Sequence, residues 1–299
     1  MRSADFGVIP GISKQFSKEE TLEMFRHICN ARAFESRVKK VNDEGKLIKM
    51  PIYLGLGQES IAAALALSFK NPAIFAQHRA HDLYLSYGGD VAALIDELLH
   101  QPTGCARGMG GSASIHSPAI KMYGHSGLMG DQIPIAVGFA LGKKEKTLAV
   151  MGDASAEEDY VLGALGYAST KKLPILFVCV DNNVSISTKI KIRRNWLMPD
   201  VAKAFKLKAV EITDDPWLIM HHVAELQGEL PAFINIHTCR ALSHAAGSVD
   251  VPDWNRFALV KEEMARLNLA EEGERIEATS EKNINTLWDE RIKAIKIKV

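Results

Sequence analysis

The chain alternates between stretches whose apolar residues recur at helical spacing and short apolar runs that end in polar residues. Leu22, Phe25, Ile28, Cys29, Phe34, Val38 and Val41 return at roughly the interval that puts side chains on one face of a helix. Ser17-Lys18-Glu19-Glu20 precedes them and reads as a capping box, in which serine and glutamate satisfy each other's backbone N–H groups. This helix is expected to stop at Gly45. A second, alanine-rich helix should follow Gly57-Gln58-Glu59 and end near Asn71-Pro72, and a third should run from Asp90 to His100. Apolar runs at 73–76, 147–151, 175–180, 208–212 and 232–237 read as strands. Helical stretches near 158–170, 201–205 and 217–226 separate the later strands.

Strands alternating with helices imply right-handed crossovers. The expected fold is therefore α/β: a doubly wound, mostly parallel sheet with helices on both faces. Residues 1–299 are expected to form a single domain, with an N-terminal helical arm at 1–50, an α/β core at 51–250 and charged amphipathic helices at 251–299. Between Gln101 and Gly130 the chain is rich in glycine. Such a stretch cannot be regular throughout, and it is expected to wrap a ligand or a partner.

Composition narrows the function classes. Lys plus Arg and Asp plus Glu balance at 36 each, so no strong field points to nucleic acid or an anionic membrane as partner. The apolar runs fall short of membrane-spanning length, and Met1-Arg2-Ser3-Ala4-Asp5 lacks the apolar centre of a signal peptide. Cys29, Cys105, Cys179 and Cys239 are scattered without a Cys-x-x-Cys pair, which suggests free thiols in a reduced, cytoplasmic chain.

The chemistry concentrates at two strand ends. Val150-Met151-Gly152-Asp153 closes one apolar run, and Asn182, 29 positions after Asp153, closes the next. Consecutive parallel strands would bring this carboxylate and amide together at the carboxyl edge of the sheet, where open α/β folds bind ligands. Each residue has a plainer role available. Asp153 at a strand-to-helix turn can simply cap the helix, and Asn182-Asn183 can simply turn the chain. Together they suit a hard divalent cation already carrying phosphate oxygens, which points to Mg²⁺ on a diphosphate. Ala154 and Ser155 would open the next helix with their N–H groups facing that anion.

The surrounding residues make a specific resemblance. Gly152-Asp153-Ala154-Ser155, Lys172-Leu173-Pro174-Ile175-Leu176-Phe177-Val178-Cys179 and Ile186-Ser187-Thr188 resemble the alpha subunit of thiamine diphosphate-dependent 2-oxo acid dehydrogenases of the pyruvate, acetoin and branched-chain type. Residues 102–112 are similar to that family's glycine-rich loop, and 127–134 to the segment under the aminopyrimidine ring. The resemblance implies thiamine diphosphate and Mg²⁺ as cofactors, with Asp153, the Asn182 side chain and the Val184 carbonyl as metal ligands. It implies that Arg79 grips the diphosphate, that Gly127 lets the backbone approach the ring, and that Met129 bends the cofactor and accepts from its amino group. Tyr53, His78, Gly152, Ala154, Ser155 and His244 complete the cofactor contacts. His244 keeps the spacing of a loop histidine that assists acyl transfer, although a surface histidine without a role is the plainer reading.

There are departures from the family pattern. His78 stands where tyrosine is usual and Tyr53 where histidine is usual, so the two residue types are exchanged beside the expected catalytic pair His78 and His244. The run Asp181-Asn182-Asn183-Val184-Ser185 is closer to transketolases, and Ser114 replaces a histidine. His78-x-x-His81 is also open to reading as a metal pair, but no third ligand has suitable spacing. The glutamate that activates the cofactor is absent from this chain by the resemblance; Glu59 sits at a structural position. The resemblance therefore implies a beta subunit carrying the pyrimidine-binding domain, in an assembly of two alpha and two beta chains, and a lipoyl-bearing acyltransferase or carrier protein as acceptor. Two alternatives stand beside it: ketol transfer of the transketolase kind, and a non-catalytic regulatory paralogue.

Overall fold

The computed structural model describes residues 2–45, 47–124, 126–245, 250 and 252–296. Helix α1 (Lys18–Asp43) opens on the expected capping box: Glu20 N donates to Ser17 Oγ at 3.1 Å and Ser17 N to Glu20 Oε2 at 2.9 Å. It is followed by α2 (Glu59–Ser68), strand β1 (Ala73–Phe75), α3 (His81–Ser86), α4 (Val91–Leu98) and β2 (Met122–Tyr123). Then come α5 (Gln132–Lys143), β3 (Thr147–Gly152), α6 (Asp159–Lys171) and β4 (Ile175–Asp181). A small hairpin, β5 (Val184–Ser185) with β6 (Thr188–Lys189), leads into α7 (Ile190–Arg193), α8 (Met198–Ala204) and β7 (Lys208–Thr213). The chain closes through α9 (Pro216–Leu226), β8 (Ala232–His237), α10 (Arg256–Arg266) and α11 (Ala270–Lys296).

Six strands pair in the order β2-β1-β3-β4-β8-β7, and every pairing in this sheet is parallel. Parallel strands are covered on both faces, which is why they read as apolar runs rather than as alternations. Successive residues of β3 serve opposite faces. Leu148 and Val150 join a core with α1, α2 and α9, whereas Ala149 and Met151 join a second core with α5 and α6. Among the described residues, no helix is long and apolar enough to cross a membrane.

The order of strands places the site. After β1 the chain crosses to β2 on one side, and after β3 it crosses to β4 on the other. The ends of β1 and β3 therefore diverge, leaving a crevice outside their carboxyl edge. Gln77, His78 and Arg79 follow β1, and Asp153 follows β3.

The expected elements form, with ends shifted by a few residues. The differences lie between them. Helix α5 starts at the end of the 127–134 segment and continues through a stretch to which the sequence reading gave no element, and β2, α3 and the β5–β6 hairpin are too short to leave a periodic signal.

The first part of the glycine-rich stretch is ordered around a buried acid, while Ala113, Gly127 and Met129 farther along it line the cavity at the β1/β3 crevice. Glu97, on α4, is fully buried, and its two carboxylate oxygens accept four backbone N–H groups. Oε2 takes Ala106 N at 2.7 Å and Gly108 N at 2.8 Å, and Oε1 takes Gly110 N at 2.8 Å and Gly111 N at 2.9 Å. The loop thus closes around a side chain of the protein itself. A Cβ at Gly110 would stand 2.1 Å from the Ser114 carbonyl oxygen, so this turn admits no larger residue.

Candidate active site

A cavity of 420 Å³ opens at the β1/β3 crevice, within the usual size of a small-molecule site. Tyr53, His78, Arg79, Gly127, Met129, Gly152, Asp153, Ala154, Ser155, Asn182, Val184 and His244 all line it. Residues up to 191 positions apart in sequence, from Tyr53 to His244, thus meet at one place.

Its floor is a hydrogen-bond network that the sequence did not announce. Ser155 Oγ donates to Gln77 Oε1 at 2.8 Å, accepts from Gly152 N at 3.1 Å and lies 3.0 Å from Gly152 O. Gln132 Nε2 reaches Gln77 Oε1 at 3.2 Å and Val150 O at 2.9 Å. Ala154 and Ser155 do not open α6 as expected, since a short 3-10 turn (Ser155–Glu157) precedes it; the Ser155 side chain instead ties the strand ends together.

At one end, Asp153 is buried beside β4, and Asn182 lines the same cavity. Burial, then the neighbouring Asp181, pushes the Asp153 carboxyl up to about 7 against the opposing pull of Arg193 and Arg194. The Asp153 carboxylate is ion-paired with Arg193, and Arg194 Nη1 donates to the Asp153 carbonyl at 3.1 Å. Neither arginine carried a signal in the sequence. Asn182 Oδ1 accepts from Val184 N at 3.2 Å, while Asn183 sits in the turn at φ 69° and does not line the cavity. The turn role available to this asparagine pair thus falls to Asn183. Asp181 points away from the cavity to a separate cluster. Burial alone would raise its carboxyl, but His237, then Arg2 and Asn235, bring it down to about 2.

Arg79 is held between two backbone carbonyls, those of Leu54 and His244, the latter at 3.3 Å. Burial and the nearby Arg240 lower its guanidinium to about 10, so it remains a cation at neutral pH. Tyr53, His78 and His244 form a triangle of rings with centroids 4.9, 5.2 and 5.4 Å apart. The exchanged tyrosine and histidine therefore remain in contact. Burial, then Arg79 and Arg240, lowers the His244 imidazole, which favours its neutral form. Asp82 also lines the cavity; burial and the adjacent Glu35 push its carboxyl up to about 8. Sequence reasoning passed over Asp82, which had no motif to mark it.

At the other end, Met129 and Gly127 line the wall. The Met129 carbonyl accepts from the Tyr160 hydroxyl at 2.6 Å, leaving its second lone pair for a ligand. Gly127 has φ 106°, a conformation that favours glycine. His81 is not a ligand partner for His78: it is fully buried, 3.2 Å from Glu35 Oε2 and 3.0 Å from Ser112 Oγ. Glu59 is likewise structural, paired with Arg32 at 3.1 Å and accepting Gly57 N at 3.0 Å.

The fold and site define a doubly wound α/β protein whose switch-point cavity presents a carboxylate, an amide and a half-buried arginine. The sequence model of the dehydrogenase E1 component family matches residues 27–247, and the chain belongs to that family. It is 32% identical over 194 residues to the pyruvate dehydrogenase E1 component subunit alpha of Zymomonas mobilis, covering 62% of this chain and 54% of that protein. It is 31% identical over 185 residues to the mitochondrial subunit alpha-2 of Arabidopsis thaliana, covering 60% and 47%. With the subunit alpha of Dictyostelium discoideum the identity is 32% over 188 residues, covering 61% and 49%. The chain spans about half the length of the curated relatives it matches.

Proposed function

We propose that this chain is the alpha-type part of a thiamine diphosphate- and Mg²⁺-dependent 2-oxo acid dehydrogenase acting on a pyruvate-like substrate, with a beta-type chain completing the site and a lipoyl group receiving the acyl unit. The observation that carries this reading is the meeting of Asp153, Asn182 and Arg79 in one cavity at the sheet's switch point.

The residues present fit the cofactor. A carboxylate, an amide oxygen and the Val184 carbonyl are hard oxygen donors of the kind Mg²⁺ takes. Arg79, half-buried and cationic, suits a diphosphate. When bound, thiamine diphosphate would supply a nucleophilic carbon to add to a carbonyl and a cationic ring to hold the electron pair left when the neighbouring bond breaks. The protein's part is to hold and orient. Asp153 and Asn182 would carry the cation, Arg79 would neutralise the diphosphate, and the Met129 carbonyl would fix the ring's amino group. His244, neutral beside two arginines, is placed to accept or return a proton at the cavity mouth.

A partner is favoured by the surface around that mouth. Ile186 lines the cavity, Leu128 lies between the lining residues Gly127 and Met129, and Ile192 precedes Arg193, whose side chain reaches Asp153; all three are exposed, Ile192 at 72%. Such side chains near a functional cavity suit coverage by another chain. The ketol-transfer alternative draws on the three-ring cluster of Tyr53, His78 and His244.

The test is co-purification with the beta-type chain, followed by assay with labelled 2-oxo acids and with ketose phosphates. CO₂ release from a 2-oxo acid, dependent on thiamine diphosphate and Mg²⁺, is expected. Turnover of ketose phosphates alone would replace this reading with ketol transfer, and no cofactor binding would leave a regulatory paralogue.

A further inference from the structure

Arg193 lies on the single turn α7, between the β5–β6 hairpin and α8. Its Nη2 is ion-paired with Asp153 Oδ2, and its Nη1 is 3.1 Å from Glu157 Oε1. Arg194 Nη1 also stands 3.1 Å from Glu157 Oε1. Two carboxylates and two guanidinium groups thus form a neutral cluster at the end of the cavity where Asp153 and Asn182 meet. The cluster is needed in this state, since Asp153 is buried and an uncompensated buried carboxylate is strongly unfavourable.

The cluster is nevertheless imperfect. Arg193 Nε and Arg194 Nε are buried without a hydrogen-bond partner, and Arg193 Nη1 stands at ion-pair distance from Glu157 Oε1 without hydrogen-bond geometry, so the arrangement is weaker than a fully bonded one. On α7 Lys191 and Ile192 are exposed, Ile192 at 72%, whereas Arg194 just beyond it is buried and bonded to the Asp153 carbonyl. Withdrawal of α7 would uncover little apolar surface, with Arg194 remaining as the anchor, and Glu157 would remain to receive the Arg193 guanidinium.

We propose that Arg193 is a placeholder for the divalent cation. Its guanidinium neutralises Asp153 until the cation takes the same carboxylate, so loading the site exchanges one cation for another. A guanidinium and a dication held on one carboxylate repel each other, so the arrival of the ion opposes the Arg193 pair. The exchange also couples cation binding to the position of α7 and hence to the apolar rim beside it. This inference rests on the reading of Asp153 as a cation ligand.

The test measures Mn²⁺ binding to the purified chain by electron paramagnetic resonance, with and without thiamine diphosphate. Arg193→Ala should bind Mn²⁺ roughly tenfold to a hundredfold more tightly than the wild type, since no charge-assisted bond must first be broken. Equal or weaker affinity would overturn the placeholder role, and weaker binding seen with thiamine diphosphate alone would make Arg193 a diphosphate grip instead. A second measurement avoids the variant: trypsin cleavage of the wild-type chain after Arg193 should accelerate when Mn²⁺ is added, and an unchanged rate counts against the exchange. Mn²⁺ binding that follows these expectations without any enhancement by thiamine diphosphate would support the placeholder while sinking the cofactor reading. Absence of Mn²⁺ binding in both chains would overturn both.

Discussion

Ser155 Oγ donates to Gln77 Oε1 at 2.8 Å, tying the residue after β1's apolar run to the turn after β3. The two strand ends that diverge at the switch point are thereby fixed relative to each other, and the cavity floor is set before any ligand arrives. Ser155→Ala removes this bond and the contacts to Gly152, and leaves Gln77 with a weaker set of partners. A loss of about 1–3 kcal/mol is expected, the range for removing a partner from buried polar groups. Urea denaturation should show a lower midpoint with an unchanged slope.

Asp153→Ala should abolish Mg²⁺-dependent binding of thiamine diphosphate while leaving the fold intact, because Arg193 keeps Glu157 at 3.1 Å as a partner. Calorimetry and circular dichroism on the same sample separate the two effects. Unchanged cofactor affinity would contradict the assignment of Asp153 as a cation ligand.

Asp82 gives a pH dependence with a definite sign. Burial and Glu35 raise its carboxyl from 3.8 to about 8, so between those values the folded chain holds a proton that the unfolded chain has released. Stability must then fall as pH rises from about 4 to about 8, at up to roughly 1.4 kcal/mol per pH unit. Asp82→Asn keeps the neutral shape and removes the titration. Melting temperatures recorded from pH 5 to pH 9 should show the variant gaining on the wild type as pH rises; parallel curves would refute the account.

Glu97→Gln tests the loop. An amide offers one acceptor oxygen and turns its NH₂ toward N–H groups that need acceptors, so two of the four bonds at 2.7–2.9 Å are lost. About 2–4 kcal/mol of destabilisation is expected from the buried donors left unpaired. Hydrogen exchange should accelerate at residues 106–111 before it does so in the sheet.

The contrast between what the sequence revealed and what it hid has a physical basis. The strands at 147–152, 175–181 and 232–237 were legible because parallel strands bury both faces, leaving unbroken apolar runs. Asp153 and Asn182 were legible because a strand end fixes where its next residue goes. Helix α5 was not, since Pro134, Gly138 and Gly142 depress its local preference and packing against the sheet makes up the difference. Arg193, Arg194, Gln77 and Glu97 were hidden for another reason: their roles come from where long side chains reach, and no periodicity in the chain records that. The glycine-rich loop was recognised as irregular, yet the object it encloses lay on the preceding helix.

That enclosed carboxylate changes how the loop should be regarded. A ring of backbone amides converging on one anion is what nucleotide-binding loops hold out to a phosphate, and here the chain has supplied the anion from within. The loop is already occupied. Its ordering is an internal affair of folding, and it passes the chain on to Ala113 at the cavity without calling on a ligand.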